Sequence, residues 1–304
     1  MPTARGPSSA SSQLPVGAAV YLDHVGHFVA NAEAAAQALA RAGFTPTPIS
    51  VQVNPDPAGG PPKLTGTGNV CAMLRGGYLE MLFKTADTPL GAEHAAARQR
   101  YDGLHLVAFA VADAEASHER LAAAGFDMQP LVRMQRPVET ASGQDVAAFE
   151  VVRISPGTMP EGRVQMLRHL TEQAVWQPRW LDHPNGAETL SGLTVVVADP
   201  GEAAARFQRF TGRPAAAIEG GFRIELDRGA VELVSAPAWL ARWPGITIPS
   251  LPFMGETEIT VASLDVARTK LEKGGLETVP AGASVAVRFP GELGHGVWRF
   301  TARG

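Results

Sequence analysis

Four residues in the first half of the chain are of types that bind divalent metals, and each sits in a short apolar run: His24 in LDHVGHFV, Glu80 in GYLEMLFK, His105 in GLHLVAFAV and Gln165 in RVQMLRHL. Two imidazoles and a carboxylate make a sound donor set for one divalent ion, Zn, Ni, Mn, Co or Fe, and an amide oxygen adds a neutral donor. Such an ion leaves positions for substrate and lowers the pKa of a C–H or O–H beside the oxygens it holds. Of the two closing-strand residues, Glu80 can carry a proton, whereas the amide of Gln165 cannot. Singly, each has an ordinary explanation, a hydrogen-bonded strand histidine or a glutamate facing water. Their recurrence at matching places sets them apart.

Residues 22–44, LDHVGHFVANAEAAAQALARAGF, and 104–126, LHLVAFAVADAEASHERLAAAGF, share one plan. Each places a histidine after Leu-Asp or Leu, runs as an apolar strand to Asn31 or Asp113, and continues as a helix closed by Ala-Gly-Phe; the spacing differs by one residue. Asn31 and Asp113 stand where a side-chain oxygen caps a helix, and Gly43 and Gly125 where a helix end favours positive φ. TPISVQV and GNVCAML supply two further strands in the first unit, and MQPLVRM and AAFEVVRI in the second. Each unit therefore reads βαβββ. Glu80 and Gln165 occupy the same place in the two closing strands, so a paired arrangement aims His24, Glu80, His105 and Gln165 at one centre.

The plan recurs twice more, in LTVVVADPGEAAARFQRFTG at 193–212 and TEITVASLDVARTKLEKGGL at 257–276, with FRIELD, AVELVSA, SVAVRF and GVWRFTA as later strands. The expected fold is α+β, four βαβββ units paired into two domains. A flexible Ser/Ala/Pro/Gly-rich tail covers 1–17, the metal-binding domain 18–171, an ordered crossing loop 172–190 and a degenerate domain 191–304. Matching positions in the last domain read Gly192 or Ser191, Glu232, Thr257 or Glu258, and Trp298. No histidine is among them, so this domain is expected to scaffold, to close the first site or to form a homodimer.

Composition narrows the partners. The chain has 304 residues, 45% hydrophobic and 18% charged, with a formal net charge of -4. Basic residues are scattered, so nucleic acid is not an expected partner, and no run of about 18 apolar residues suggests a membrane span. The single cysteine, Cys71, allows no intrachain disulfide and no thiolate cluster, and in NVCAML it reads as a small buried hydrophobe. With no secretory signal in the first residues, the cytoplasm is the expected location.

In the vicinal oxygen chelate superfamily, LDHVGHFV and GLHLVAFAV resemble the two first-strand motifs of the epimerase branch, and GTGNVCAMLRGGYLEML and VQMLRHL followed by WQPRWLDHPNGA resemble the glyoxalase-like domain branch. The resemblance spans nearly the whole chain after the tail. It implies the same ligand positions, His24, Glu80, His105 and Gln165, the last a departure from a glutamate that often serves as base. It also implies metal-dependent chemistry on a small vicinal-oxygen substrate, a lyase or isomerase reaction through an enediolate-like intermediate, with Glu80 as base. A non-haem Fe(II) dioxygenase and a binding or resistance protein without turnover remain as alternatives. Glu150, Trp176 and His183 are further candidates for contact with the substrate, Trp176 and His183 through a loop that covers the cup.

Overall fold

The computed structural model of the protein describes residues 13–54 and 59–303. The first unit contains β1 (Val20–Phe28), α1 (Ala32–Arg41), β2 (Ser50–Asn54), β3 (Lys63–Met73) and β4 (Tyr78–Lys84). A helix, α2 (Pro89–Arg100), leads to the second unit: β5 (Gly103–Val111), α3 (Ala114–Ala123), β6 (Val132–Thr140), β7 (Gly143–Arg153) and β8 (Arg163–His169). The short α4 (Glu172–Val175) opens the crossing segment. The third unit follows as β9 (Ala187–Val197), α5 (Pro200–Thr211), β10 (Ala215–Ile218), β11 (Gly221–Glu225) and β12 (Ala230–Ser235). After α6 (Ala236–Arg242) comes the fourth: β13 (Phe253–Val261), α7 (Leu264–Lys273), β14 (Thr278–Ala281), β15 (Ser284–Arg288) and β16 (Val297–Ala302). These are four βαβββ units, as the repeat predicts.

Local chemistry fixes each strand-to-helix turn. Asn31, Asp113, Asp199 and Ser263 each accept a backbone N–H of the first turn of α1, α3, α5 and α7. Gly43 and Gly125 take φ of +80° and +85° directly after α1 and α3, where any side chain would be strained. Three helices are additions to the predicted plan: α2, the four-residue α4 and α6. In α2, Thr88 caps and Pro89 opens the helix, with Arg98 and Arg100 in its last turn. Only Gly91 and His94 are buried there, so the segment lacks the apolar stripe that marks a helix in sequence. In α6 the cap is Ser235.

First strands meet at the centre of each domain. Strand β1 pairs antiparallel with β5, and each pairs parallel with the closing strand of its own unit, β4 or β8. The first sheet thus runs β2-β3-β4-β1-β5-β8-β7-β6, and β9 to β16 repeat it as β10-β11-β12-β9-β13-β16-β15-β14. The two sheets join where Met254 of β13 pairs with Leu104 of β5. The N-terminal sheet curls far enough for Arg136 on β6 to reach Ser50 on β2, at 3.5 Å. One face packs on the helices through Val25, Leu39, Leu79, Val107 and Phe109; the other forms the wall of a cup.

Boundaries differ slightly from expectation. Residues 1–12 of the expected tail lie outside the described residues. Gln13 is buried, and its amide bonds the Arg75 carbonyl, the Gly77 N–H and Arg228, so it already belongs to the packed protein. The crossing segment ends before Ala187, because Thr189 and Leu190 pair with Thr260 and Ile259 of β13. A buried ion pair also ties the domains: Glu161, fully buried, takes both arms of Arg206 on α5 at 2.6 and 2.9 Å. Removing one partner of such a pair strands the other charge. Arg206→Ala, which leaves the buried Glu161 carboxylate without this partner, is expected to cost about 3 kcal/mol in urea unfolding; a change within ±0.5 kcal/mol, the usual range for surface substitutions, would show that the pair carries no part of the stability.

Candidate active site in the N-terminal cup

His24 and Glu80 face each other at the floor of the cup, Nε2 to Oε2 3.7 Å. His24 stacks on Tyr78, ring centroids 4.4 Å apart. Its Nδ1 meets Asp23 Oδ2 at 2.7 Å, and the other Asp23 oxygen takes His169 Nε2 at 2.9 Å. Burial alone would raise the Asp23 carboxyl, but the charges and hydrogen bonds of His169 and His24 outweigh it and hold it well below the usual carboxylate range. An ionised Asp23 accepts a hydrogen bond from His24 Nδ1–H, the tautomer that leaves a lone pair on Nε2 on the side of Glu80. Glu80 is itself oriented: Asn69 Nδ2 donates to its Oε1 at 2.7 Å.

Gln165 lines the same cavity, and its Oε1 is buried without a hydrogen-bond partner. The walls include Leu82, Leu106, Phe149, Val151 and Leu167, with Arg136, Arg153 and Arg163 among the polar groups.

The structure does not bring His105 to this centre. Gly26 lies opposite Glu80, and Ala108 opposite Gln165, so Gly26 and Ala108 are equivalent. Two residues earlier stand His24 and Leu106. The second imidazole position is therefore Leu106, and the cavity is lined by it. His105 is the extra residue of a β-bulge, since Gly26 pairs with Leu106 and the next pair is His27 with Leu104. Its counterpart is Asp23, the extra residue between Leu22 and His24. His105 stacks on Tyr101 at 4.0 Å, bonds the Tyr101 carbonyl through Nε2 at 2.7 Å and lines a neighbouring cavity. Burial pushes its pKa down to about 4, although the Tyr101 carbonyl opposes this.

The bulges also move the register of the C-terminal domain. Gly255 and Ser191 are the extra residues there, so the four matching positions are Gly192, Glu232, Glu256 and Arg299 rather than the Thr257 or Glu258 and Trp298 that the sequence suggested. Trp298 is a core side chain beside Phe44. Glu256 accepts from Trp243 Nε1 at 2.7 Å and Arg299 Nε at 2.6 Å, while Glu232 takes Arg223 and Arg242. The second cup is crossed by its own ion pairs.

The remaining candidates lie outside the cavity. Glu150 is held by Arg133 and Arg168, whereas its neighbours Phe149 and Val151 line the cup, as alternation along a strand requires. His183 accepts the Thr45 N–H at Nδ1 and donates to the Met73 carbonyl from Nε2, which ties the crossing segment to the sheet. Trp176 is buried edge-on to Tyr78 and His169 and supports them from behind; Val175 is its neighbour in the wall. His27 is fully buried against the Leu293 carbonyl and Phe289. Sequence reasoning missed Asp23, His169, Asn69 and the arginines. The one-residue difference in spacing between His24 and Asn31 and between His105 and Asp113 was the available signal for the bulge.

His24, Glu80 and Gln165, the last with its Oε1 unpartnered, line one cavity. Among the described residues no group of three or more His, Cys, Asp or Glu side chains is arranged to hold a metal ion.

The fold is that of paired βαβββ units, and the comparisons agree. Residues 22–211, well over half the chain, match the model of the family described as Glyoxalase-like domain. The chain belongs to that family, of the vicinal oxygen chelate type. No curated protein matches its sequence. Among solved structures, a hypothetical protein from Staphylococcus aureus is 9% identical with a TM-score of 0.64, covering 93% of this chain and 100% of its own. A mutant of 4-hydroxymandelate synthase from Streptomyces coelicolor is 14% identical with a TM-score of 0.58, covering 94% of each chain. A xylose isomerase-like TIM barrel/4-hydroxyphenylpyruvate dioxygenase fusion protein is 10% identical with a TM-score of 0.54, covering 96% of this chain and 50% of its own. At these identities the likeness is one of fold.

Two measurements follow from the geometry. The folded Asp23 carboxyl titrates below its unfolded value of about 3.9. Its contribution to stability is therefore complete above that pH and is lost as the pH falls toward the folded value. Asp23→Asn is expected to be less stable at pH 7 in urea melts and to show a shallower loss below about pH 4; equal acid slopes would remove Asp23 from the account. Leu106→His places an imidazole opposite His24, and zinc titration against a chelator should show binding at least roughly tenfold tighter than in the wild type. His105→Ala should leave zinc affinity unchanged, and a loss on that change would contradict the register.

Proposed function

We propose that the N-terminal cup is the active site of a lyase or isomerase that moves a proton on a small substrate with vicinal oxygens. The observation that carries this reading is the His24–Glu80 pair at the cavity floor, one member fixed by Asp23 and the other by Asn69. Glu80 keeps Oε1 on Asn69, so Oε2 is the oxygen that takes a proton from the substrate carbon and returns it. The apolar wall of Leu82, Leu106, Val151 and Leu167 limits water around that step. Tyr78, buried and stacked on His24, holds the imidazole in plane.

His24, Glu80 and Gln165 would hold one divalent ion. Bound there, it supplies positive charge that stabilises an enediolate-like anion. Gln165 acts as an oxygen donor or substrate contact, and the proton work falls to Glu80.

The oxygenase reading asks for two imidazoles beside a carboxylate. Leu106 stands at the second imidazole position, which favours proton transfer instead. The test is solvent exchange. Wild-type protein loaded with a divalent metal is incubated in D2O with small hydroxyketones and 2-oxo acids. Deuterium should enter one of them, and Glu80→Gln should slow incorporation by roughly a hundredfold or more while keeping its fold. Oxygen uptake in place of exchange, or full exchange by Glu80→Gln, would overturn the proposal; binding without exchange would identify a sequestering protein.

A further inference from the structure

The cup carries more positive charge than its own residues neutralise, and the excess is concentrated on one side chain. Arg153 ends β7 and pairs across the ladder with Gln165, so its side chain starts beside the proposed site. Its Nε is buried without a hydrogen-bond partner, and its Nη2 meets only the Met134 sulfur, at 3.7 Å. The nearby Glu93 is taken by Arg163, at 2.9 Å. Burial, aided by the charge of Arg163, pushes the Arg153 pKa down to about 10. Arg136, on the adjoining strand β6, lines the same cup; it has the Ser50 hydroxyl at 3.5 Å and no carboxylate among the described residues.

Other buried arginines in the chain are provided for. Arg206 has Glu161 and Glu202, Arg299 has Glu256 and Glu258, and Arg223 and Arg242 share Glu232. Arg120 donates to the Arg209 and Phe210 carbonyls; Arg228 also keeps Nε and Nη2 without partners, but it donates from Nη1 to Gln13 Oε1 at 3.0 Å and lies over the Tyr21 ring. The C-terminal cup therefore answers each of its arginines with a glutamate, whereas the N-terminal cup leaves Arg153 open toward a cavity. A guanidinium removed from water without a partner is costly, and a ligand anion would meet that cost.

We infer that the N-terminal cup binds an organic carboxylate with an apolar body, its carboxylate on Arg153, with Arg136 adding positive charge to the same cup, and its body against Leu82, Leu106, Phe149 and Leu167. The planar fork of arginine matches a carboxylate in two-point contact, and the apolar wall excludes a ligand that is charged throughout. This inference rests on the proposed reaction site and specifies its substrate class: the bond that reacts lies next to a carboxylate-bearing carbon skeleton, within reach of Glu80.

The experiment is calorimetric titration of the wild type, Arg153→Met, Arg153→Lys and Glu80→Gln with benzoate, 3-methylbutanoate and 3-phenylpropanoate, against the matching amides and inorganic phosphate. At least one carboxylate should bind the wild type, and its amide should bind roughly tenfold to a hundredfold more weakly. Arg153→Met should lose the same factor, yet unfold without ligand at a temperature equal to or above that of the wild type, because it removes an unpaired buried charge. Arg153→Lys should recover part of the affinity. Glu80→Gln should keep carboxylate binding, so failure of proton transfer and failure of this inference are separable. Binding of phosphate alone, equal binding of amide and acid, no binding by any carboxylate, or unchanged affinity in Arg153→Met would each overturn it.

Discussion

The antiparallel pairing of β1 with β5, with one bulge residue in each strand, is the constraint on which the rest of this protein depends. It sets which residues of two similar units meet. Because a strand alternates its faces, and a bulge adds one residue to the count, a shift of one position exchanges the side chains presented to the cup. In β1 the bulge residue is Asp23, and it turns back to hold His24. In β5 the bulge residue is His105, and it joins Tyr101 and Phe28 beside a different cavity. The same chemical type, histidine after leucine, thus ends in two unlike places.

A second consequence is the division between cups. Both descend from the same arrangement of four strands, and both contain arginines. In the C-terminal cup Glu232, Glu256 and Glu258 meet Arg223, Arg242 and Arg299 in a closed network, supported by Trp243 from beyond α6. Such a network fills space and leaves little for a ligand to do. In the N-terminal cup the charges are kept apart: Glu80 and His24 at the floor, Arg153 and Arg136 in the wall. Unsatisfied groups are tolerated where function uses them and are rare elsewhere. In the open cup two lining side chains, Gln165 and Arg153, each keep a buried polar atom, Oε1 and Nε, without a partner.

Much of this was legible in the sequence. The repeat of strand, capped helix and Ala-Gly-Phe gave four units, and the capping residues Asn31 and Asp113 act as read. Glu80 and Gln165 line one cavity because both lie in closing strands, whose register is anchored by parallel pairing. The partner of His24 was not legible by similarity of residue type. Counting back from the caps would have found Leu106, seven residues before Asp113 as His24 is seven before Asn31, but the matched histidines drew the alignment off by one. Asp23, His169 and Arg153 were hidden for another reason. Their roles arise from contacts between units, such as Asp23 with His169 across 146 positions, which no local pattern reports. Helix α2 escaped because its buried face is little more than Gly91 and His94.

The central claim is that the working centre lies at His24 and Glu80, with His105 apart from it. Long-range 15N–1H correlation spectra of histidine-labelled protein report the two ring nitrogens of each residue separately. On addition of zinc, the Nε2 signal of His24 is expected to move while both nitrogens of His105 stay where they are. A shift at His105 with His24 unchanged would contradict the account and return the site to the neighbouring cavity.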